Sequence, residues 1–541
     1  MLKVKLFKFF IPVIIILSVF MIFSLSSTLF AANVTSDFNQ LNSTKLVSEM
    51  GAAWNLGNQL EAVNNGTPSE TAWGNPTISK ALITKVKESG FNTIRIPVSY
   101  FNKIGSAPDY TIDSNWLNRI QEVVDYAYSQ DIYVIINVHG DAYNTITDSW
   151  LLVNSSDQTT IKAKYQKLWE QIANKFGDYD EHLIFESMNE VFDGTWSTPN
   201  STYYANLNDY NQIFVDTVRQ TTGNNSARWL LVPGWNTNIG YTADDYGFQI
   251  PKDTNRSSTI PSSEKRIAIS VHYYDPWDFC GEESGTITQW GPSATDSSKT
   301  STWGQEDFME SQFQKMYNTF VAKGYPFIVG EYGSIDKTSA DSTNNTYREI
   351  YAKTLCSTAK KYGGVPVYWD NGYNGTYGFG LFNRSNYTVT QQGIIDAIMS
   401  GVGTTTTTST STSTQATTPT TTSTVTSTST PVTTGNYLIS YDIKNDWGSG
   451  ATVNLTIKNS TSSDINGWTL EFSFPGDQSI ANLWNASLSQ SGRAVSISDA
   501  GWNGTISKNG GTVSFGFNLS YTGSNDEPTN FTLNGEECEI Q

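Results

Sequence analysis

Eight short apolar runs, separated by amphipathic segments, recur through residues 51–399 of this 541-residue chain. Each run is apolar at nearly every position, a pattern typical of parallel strands that are buried on both faces. Eight strand–helix units in about 350 residues predict a (β/α)8 barrel, an α/β fold, over residues 33–402. The predicted strands are 52–56, 93–97, 133–138, 182–185, 229–233, 267–271, 327–330 and 365–369.

Amphipathic periodicity predicts a helix between most of these strands. The helical pattern is weak at residues 234–265, where we expect an irregular connection. The predicted helices are 79–89, 115–130, 159–176, 207–221, 306–323, 347–361 and 391–399.

The chain changes character after the predicted barrel. Residues 403–435 consist mostly of Thr and Ser and carry no charge. Such a segment cannot bury a core, so we predict a disordered linker. In residues 436–541, short alternating runs are separated by Gly, Asn and Ser turns. This pattern is typical of an all-β antiparallel sandwich.

Residues 1–32 predict a secretory signal peptide. Lys3, Lys5 and Lys8 precede an apolar run, and the segment ends with Ala31 and Ala32. This order of features is typical of secretory signals. The apolar run is longer than most signal cores, so an uncleaved membrane anchor is the alternative interpretation. We expect a secreted, extracellular protein that is free of the membrane after signal cleavage.

The overall composition limits the possible partners. A formal net charge of −18 argues against nucleic acids and anionic membranes, which bind clustered Lys and Arg. Aromatic residues make up 13% of the chain, including 16 Trp, and flat aromatic rings suit the apolar faces of neutral sugars. The three cysteines are odd in number and far apart, so the sequence predicts no disulfide framework. With only three histidines, a multi-histidine metal site is also not expected. We expect a monomer that needs no metal or cofactor.

Residues able to bind or cleave a sugar lie at the ends of seven of the eight predicted strands. The carboxyl ends of barrel strands meet at one face, so these residues are predicted to form one site. A single Glu after a strand is more often a solvated loop residue than a catalyst. Two such residues about 5 Å apart, however, are what cleavage of a glycosidic bond with retention requires. In chain order the candidate residues are Arg95, His139, Asn189, Glu190, Trp235, His272, Tyr274, Glu331 and Trp369.

Seven motifs at or near these strand ends are Trp54-Asn55-Leu56-Gly57-Asn58, Ile94-Arg95-Ile96-Pro97-Val98, Asn137-Val138-His139, Met188-Asn189-Glu190, His272-Tyr273-Tyr274, Gly330-Glu331-Tyr332 and Tyr368-Trp369. Together they make the span from about residue 40 to 400 resemble glycoside hydrolase family 5, the endo-β-1,4-glucanase type. Two positions depart from the family pattern. Val191 stands where Pro usually follows the Asn-Glu pair, and Gly140 stands where the nearest subgroup often has a second His. Neither departure removes a catalytic group.

The resemblance implies a retaining mechanism with a role for each carboxyl group. Glu190 is implied as the general acid/base, which must enter the reaction protonated. Glu331 is implied as the nucleophile, which must be ionised. A neighbouring guanidinium and a phenol hydroxyl, Arg95 and Tyr274, are implied to hold Glu331 in its charged form and to aim it.

The same resemblance implies a sugar-binding role for the remaining candidates. Asn189 would hydrogen-bond the sugar 2-hydroxyl, His139 and His272 would line the subsite of the cleaved sugar, and Trp369 would be its stacking floor. His182 is interpreted as structural, and Asp141 and Asp275 as solvated bystanders. Four tryptophans, Trp235 among them, either line other sugar subsites or pack in the core, with equal weight: Trp54, Trp73, Trp235 and Trp277.

A second set of motifs follows residue 436: Asn445-Asp446-Trp447, Ile465-Asn466-Gly467-Trp468, Asn482-Leu483-Trp484-Asn485, Gly501-Trp502-Asn503-Gly504, Phe515-Gly516-Phe517 and Phe531-Thr532-Leu533-Asn534-Gly535. They resemble a carbohydrate-binding module of family 2, the cellulose-binding type. The resemblance implies that Trp447, Trp484 and Trp502 form a flat exposed strip on which cellulose stacks, whereas Trp468 belongs to the core. The family usually joins a cysteine near each end of the module. Cys538 has no such counterpart here, so we predict a free thiol.

We therefore expect a secreted endo-β-1,4-glucanase, a cellulase, that acts on cellulose and soluble β-glucan chains. The first alternative is the same barrel with a preference for xyloglucan, mixed-linkage glucan or mannan, since these substrates differ at loops such as 275–292. The second is a non-catalytic polysaccharide-binding adhesin. A protein that only binds has no need of two carboxylates together with Arg95, Asn189 and Tyr274, which argues against the adhesin.

Overall fold

The computed structural model describes residues 38, 40–146, 148–403, 436–446, 448–484, 486–501 and 503–540. They belong to two compact units that divide between residues 411 and 412. The predicted signal peptide, and the predicted linker apart from Gly403, lie outside the described residues. Within the described ranges, no helix is both long enough and apolar enough to cross a membrane.

The first unit contains a closed barrel of eight parallel strands, which confirms the predicted fold class. Each strand pairs with its neighbours in chain order, and the last pairs with the first, where Ala53 lies opposite Val367. The strands are β1 Ala53–Asn55, β2 Thr93–Ile96, β3 Tyr133–Asn137, β4 Leu183–Glu186, β5 Leu230–Asn238, β6 Ile267–Tyr273, β7 Phe327–Tyr332 and β8 Gly364–Tyr368.

All seven predicted helices form around this barrel. Several of the helices begin after a polar side chain that accepts a hydrogen bond from a backbone N–H of the first turn, as Ser79 does from Leu82 and Asp113 from Trp116. The helices are α1 Ser43–Met50, α2 Lys80–Glu88, α3 Ser114–Tyr128, α4 Gln158–Lys175, α5 Ser201–Gln220, α6 Ile239–Ala243, α7 Trp277–Cys280, α8 Glu306–Thr319, α9 Asn344–Lys361 and α10 Gln392–Val402. Short 3-10 turns lie at Phe101–Lys103, Gly140–Ala142, Gly223–Ser226, Ser297–Lys299 and Val321–Lys323.

The region expected to be irregular is more ordered at its start than predicted. Strand β5 continues to Asn238, because its pairing with β6 shifts register after Pro233 and then resumes. The short helix α6 follows directly, and residues 244–266 contain neither helix nor strand.

Helix α1 closes the amino-terminal end of the barrel. Its apolar residues Leu46, Val47 and Met50 form one buried cluster with inward-facing strand residues such as Ile135 and Leu231. This end is therefore a packed apolar plug. The polar inward-facing residues that remain lie at the opposite end, where the carboxyl ends of the strands meet.

The second unit is the predicted all-β sandwich, formed by two five-stranded sheets and a short two-stranded one. Its core includes Trp468, whose ring stacks on Phe515 at a centroid distance of 5.3 Å, as expected for a core residue. Cys538 is a free thiol, as are Cys280 and Cys356. The strands are β9 Tyr437–Asp446, β10 Gly450–Asn459, β11 Ile465–Asn466, β12 Thr469–Ser473, β13 Ser479–Trp484, β14 Ser487–Ser491, β15 Ala494–Ser498, β16 Thr505–Ile506, β17 Gly511–Ser520, β18 Thr532–Leu533, β19 Glu536–Glu537 and β20 Glu539–Ile540.

The two large sheets have the orders β13-β17-β10-β9-β20 and β14-β15-β12-β18-β19. The predicted cellulose-binding strip cannot be traced on them. Trp447 and Trp502 lie outside the described residues, and of Trp484 only the backbone, at the end of β13, is described. The strip therefore stays a prediction.

Candidate active site

The polar residues of the site follow from the alternation of side chains along each strand. In β3, Tyr133 and Ile135 face the apolar plug inside the barrel, while Val134 and Ile136 face the helices. The next inward position is Asn137, at the carboxyl end. The same alternation places four more polar residues inside the barrel above the plug: Asn55, Arg95, Glu186 and Ser270.

Arg95 connects several residues of the site through hydrogen bonds. Its guanidinium is fully buried. It donates from Nε to Glu186 Oε2 at 2.7 Å, and from Nη1 to Asn55 Oδ1 and to Glu331 Oε1, both at 3.0 Å. The Nη2 group donates to Asn189 Oδ1 at 2.8 Å. Four strand ends are thereby fixed relative to one another by one side chain, which is always charged.

Glu331 lies at the carboxyl end of β7, with its side chain 7% exposed. The pairing of β6 and β7 shifts register between Val271 and His272, just where Glu331 turns inward. Arg95 donates to Oε1, and the Tyr274 hydroxyl donates to Oε2 at 3.1 Å. The two predicted donors are thus in contact with the carboxylate.

The charge state of Glu331 reflects a competition between burial and charge. Burial raises the pKa of the Glu331 carboxyl above its ordinary value of 4.5, although His272 and Arg95 act in the opposite direction. The role of Arg95 and Tyr274 in keeping Glu331 ionised stays a prediction, although Arg95 and His272 do act to lower its pKa. Loss of solvent outweighs them, because a carboxylate is stabilised more by water than by a low-dielectric interior.

Glu190 follows β4 and is the more accessible carboxyl group, with 29% of its side chain exposed. One of its oxygens lies 2.7 Å from Nδ1 of His272. Nε2 of the same ring is buried and has no hydrogen-bond partner among the described residues. When the ring proton is on Nδ1, this nitrogen donates to Glu190. Ligand atoms of Glu190, His272 and Glu331 all lie within 4.8 Å of one another.

Asn189 and His139 occupy the other side of Glu331. The Asn189 amide accepts from Arg95 and donates from Nδ2 to the Tyr143 hydroxyl at 2.9 Å. Nε2 of His139 lies 3.9 Å from Glu331 Oε1. Burial, reinforced by the positive charge of Arg95, holds the pKa of His139 well below its ordinary value, so this ring is neutral near pH 7.

Trp369, directly after β8, forms one wall of the site. Its ring lies parallel to the His139 ring, with centroids 6.1 Å apart and an interplanar angle of 8°. The indole is partly exposed, so it offers area to a ligand. Behind it, Trp54 donates from its ring nitrogen to Asp370, and Arg384 donates to the same carboxylate. The wall is therefore held by a buried hydrogen-bond network.

Eight of the nine barrel residues predicted from the sequence lie at this site. The exception is Trp235, which is 1% exposed and stacks on Tyr204 at 5.6 Å. Trp235 packs in the core, so it offers no ring face to a sugar. Of the other undecided tryptophans, Trp54 is fully buried, whereas Trp73 and Trp277 are 42% and 54% exposed.

Two minor interpretations also have clear outcomes. Asp141 is not a solvated bystander, because it is fully buried and accepts hydrogen bonds from the Tyr100 backbone and the Trp150 ring. Asp275 is only partly exposed, and burial raises its pKa to about 6. His182 pairs with Asp180 at 3.1 Å at the start of β4, as expected of a structural residue far from the carboxyl ends.

Sequence reasoning gave no role to five polar residues of the site, four of which contact a predicted residue directly, whereas Ser270 contacts Glu186. The alternation along each strand could have identified the four that lie on or at the end of a strand, since each occupies an inward position near the carboxyl end. The five are Asn55, Asn137, Tyr143, Glu186 and Ser270.

The comparisons with known proteins agree with this geometry. Residues 56–375 match the family model described as cellulase, glycosyl hydrolase family 5. Residues 438–538 match the model described as cellulose binding domain. The resemblance stated from the motifs is thereby confirmed for both parts of the chain.

Individual relatives cover the barrel at high identity. Endoglucanase A of Paenibacillus barcinonensis is 65% identical over 367 residues, which is 68% of this chain and 92% of that protein. A solved family 5 xyloglucanase from Paenibacillus pabuli, in complex with ligand, is 69% identical with a TM-score of 0.65, over 66% of this chain and 99% of the other. A broad specificity endoglucanase from Bacteroides salanitronis is 39% identical with a TM-score of 0.62, over 67% and 96%. The chain therefore belongs to glycosyl hydrolase family 5 and combines an endoglucanase-type barrel with a cellulose-binding domain.

Proposed function

We propose that the chain is a secreted hydrolase that cleaves internal β-1,4-glucosidic bonds of cellulose and related β-glucans with retention of configuration. The observation that carries the proposal is the proximity of Glu190 and Glu331, which have carboxylate oxygens within 4.8 Å of each other. Retaining enzymes hold their two carboxyl groups about 5–5.5 Å apart, whereas inverting enzymes leave about 6.5–9.5 Å for a water molecule.

In the first step, Glu331 attacks the anomeric carbon while Glu190 donates a proton to the departing glycosidic oxygen. The bond from the anomeric carbon to that oxygen breaks, and an ester bond to Glu331 forms. Glu331 suits the attack because Arg95 and Tyr274 each hold one of its oxygens in place. Glu190 suits proton transfer because it is the accessible group and can exchange protons with solvent.

In the second step, Glu190, now a carboxylate, takes a proton from a water molecule that attacks the anomeric carbon. The ester bond breaks, Glu331 leaves as a carboxylate, and the sugar regains its original configuration. His272 donates to Glu190 and so keeps the same group directed at the reacting oxygen in both steps. Neither step transfers an electron, and the expectation that no metal or cofactor is needed stays a prediction that activity in a chelator tests.

The sugar at the point of cleavage would bind between Trp369 and the carboxylates. Trp369 supplies a partly exposed ring beside His139. Asn189, fixed between Arg95 and Tyr143, would hold the 2-hydroxyl next to the anomeric carbon. A hydrogen bond at that position strengthens as charge develops on the ring, so it stabilises the transition state.

Xyloglucan is the second candidate substrate. The Paenibacillus pabuli structure, at 69% identity, is of a xyloglucanase, whereas the Paenibacillus barcinonensis relative is an endoglucanase. Cleavage of either polymer at this site would use the same two carboxyl groups, so the proposed chemistry is the same. The two substrates differ in whether the cleft must accommodate side branches on the glucan chain.

The cellulose-binding domain would keep the enzyme on its substrate. We propose that Trp447, Trp484 and Trp502 stack on the apolar faces of cellulose, and that the linker lets the barrel reach nearby chains. Tethering raises the local concentration of the barrel at the surface. The signal peptide of residues 1–32 would deliver the protein outside the cell, where cellulose occurs.

The test is the viscosity of soluble carboxymethyl-cellulose and of xyloglucan, measured with the wild type and with Glu331→Gln. An endo-acting enzyme lowers viscosity steeply before much reducing sugar appears, and the variant should lose activity by several orders of magnitude. The ratio of rates on the two polymers decides the preferred substrate, and mixed-linkage glucan and mannan complete the panel. Activity in neither protein on any polymer would support the adhesin and refute the proposal.

A further inference from the structure

Glu186 is a buried carboxyl group that the mechanism above does not use. It ends β4, and its side chain is 0% exposed. Oε2 accepts from Nε of Arg95 at 2.7 Å and from Nδ2 of Asn137 at 3.0 Å. Oε1 accepts from the Ser270 hydroxyl at 2.6 Å. Donors from β2, β3 and β6 thus converge on one carboxylate, which is an arrangement built to hold a negative charge.

Arg95 lies between two carboxylates that have different fates in the reaction. Its Nε faces Glu186, and its Nη1 faces Glu331 at 3.0 Å. When Glu331 forms an ester with the sugar, its negative charge disappears, and Arg95 loses one of its two counter-charges. A buried cation without a counter-charge is strongly unfavourable. Glu186 forms no bond to the sugar, so its charge persists through both steps.

We propose that Glu186 is a positioning residue that acts as the permanent counter-ion of Arg95 during the double displacement, an inference that rests on the function proposed above. In the free enzyme, Glu186 limits how strongly Arg95 stabilises the Glu331 carboxylate, which leaves Glu331 basic enough to attack. In the covalent intermediate, it balances the charge of Arg95 after Glu331 has become neutral.

The electrostatics of Arg95 support this assignment. Burial acts to lower the pKa of Arg95, but attraction to Glu186, and then to Glu331, raises it above its ordinary value. Glu331 has other charged or titratable neighbours besides Arg95. A variant that tests the proposal by its pH profile must leave these residues unchanged. They are His139, Tyr143, Glu190, His272 and Tyr274.

Glu186→Gln tests the proposal because it removes the charge and keeps the shape. The amide oxygen can still accept from Arg95 and Asn137, and the amide nitrogen can donate to the Ser270 hydroxyl, so the fold should persist. The matched control is Ser270→Ala, which removes the hydrogen bond to Oε1 and leaves the charge. Thermal melting verifies that each variant is folded.

The first readout is the pH profile of kcat/KM on a dinitrophenyl β-cellobioside. Without Glu186, the field of Arg95 on Glu331 is uncompensated, so the acid limb should move to lower pH by about one unit, with kcat/KM on the plateau lower by about tenfold. Ser270→Ala should keep the limb at its wild-type position. A purely structural role would lower kcat/KM in both variants and leave the limb of both unchanged.

The second readout is the burst of dinitrophenolate, which reports the covalent intermediate. The amide variant should form the ester more slowly but hydrolyse it at least as fast, so its burst should shrink or vanish. A full burst, or an acid limb that stays in place or moves up, overturns the proposal. If Glu186→Gln does not fold, the pH profile of Glu186→Asp is measured instead. This variant keeps the negative charge, so its acid limb should stay at the wild-type position. A shift of its acid limb to lower pH would contradict the counter-ion role.

The wild type separates this inference from the proposed function. A wild-type enzyme that releases no dinitrophenolate and cleaves no glucan refutes the function itself. A wild type that does both, combined with an unchanged acid limb in Glu186→Gln, refutes only the role of Glu186.

Discussion

Gly57 and Trp369 are in direct contact at the wall of the site. A Cβ atom at residue 57 would lie 2.8 Å from Cη2 of the Trp369 ring and 2.8 Å from the backbone oxygen of Asp370. Both distances are shorter than any normal contact, so the glycine is what lets the indole lie where it does. Because the ring also lies parallel to His139, its position is restrained on two sides.

Gly57→Ala should displace the indole and weaken sugar binding. We expect kcat/KM on soluble glucan to fall by about tenfold or more, together with a loss of about 1–3 kcal/mol of folding free energy from overpacking. Steady-state kinetics and thermal unfolding measure the two effects. Gly523→Ala is the control, because its Cβ would meet Asp477 at an ordinary 3.6 Å. Wild-type kinetics for Gly57→Ala would mean that the ring position does not matter to binding.

Azide should distinguish the two carboxyl groups by the configuration of the product. With a dinitrophenyl β-cellobioside, Glu190→Ala should still form the ester, because this leaving group needs no proton. Hydrolysis of the ester should then slow by about 10²–10⁴-fold. Azide, which needs no general base, should restore turnover and give the β-azide. For Glu331→Ala, azide should attack the substrate itself and give the α-azide. Reversed configurations would exchange the two assignments.

The acid limb of the pH profile should report Glu331. Only its ionised form attacks, and burial raises its pKa above 4.5. As pH falls through this raised value, Glu331 takes up a proton and kcat/KM is lost, so the limb should lie above pH 4.5. His139, whose pKa is held well below its ordinary value, should add no further limb near neutrality. A profile that stays flat down to pH 4 would contradict the raised value.

The barrel was predictable because its signals are local. A run such as that of β3 is apolar on both faces, and helices such as α2 and α3 carry their own caps, so neither depends on the rest of the fold. The proximity of Glu190 and Glu331, the proposed catalytic pair, was predictable for a related reason. The carboxyl ends of all strands meet at one face once the barrel closes, so Glu190 and Glu331 converge wherever they lie in the chain.

The residues that were missed depend on information that no single segment contains. Which residues of a strand face inward is decided by closure and by register shifts, such as the one between Val271 and His272. Glu186 was therefore not recognised as the partner of Arg95, and Trp235 was assigned to the site although it packs in the core. The pKa of Glu331 depends on burial, which is a property of the whole assembly.

The barrel should be most stable at mildly acidic pH. Burial raises the pKa of Glu61 to about 7 and that of Asp141 to about 6, so near pH 5–6 the folded state binds protons that the unfolded state has released. Stability then falls as pH rises through this range, because deprotonation favours the unfolded chain. The thermal midpoint should decrease from about pH 5 to pH 7.5.

Glu61→Gln should flatten this dependence, since the amide does not titrate. Glu283→Gln, which changes an exposed carboxyl, is the matched control and should keep the wild-type slope. A midpoint that rises between pH 5 and 7.5 in the wild type would show that groups of lowered pKa dominate instead.

Binding and stability should separate within the cellulose-binding domain. Replacing Trp447, Trp484 and Trp502 together by Ala should weaken adsorption to microcrystalline cellulose by roughly a hundredfold, at about 1 kcal/mol for each stacking contact. Hydrolysis of soluble glucan should be unchanged, because the barrel is intact. Trp468→Ala is the contrasting variant. This ring is 1% exposed and donates from Nε1 to the Asn503 backbone at 2.8 Å, so its loss should cost about 3–5 kcal/mol of the domain's folding free energy.

Adsorption isotherms and calorimetric unfolding of the four proteins, namely wild type, triple variant, Trp468→Ala and Glu331→Gln, test the separation. Glu331→Gln should adsorb as the wild type does, because adsorption belongs to the other domain. The triple variant should unfold at the wild-type temperature if its three rings are exposed. A large drop in that temperature would mean that at least one of them is a core residue like Trp468, and the strip would then have to be assigned to other aromatic side chains.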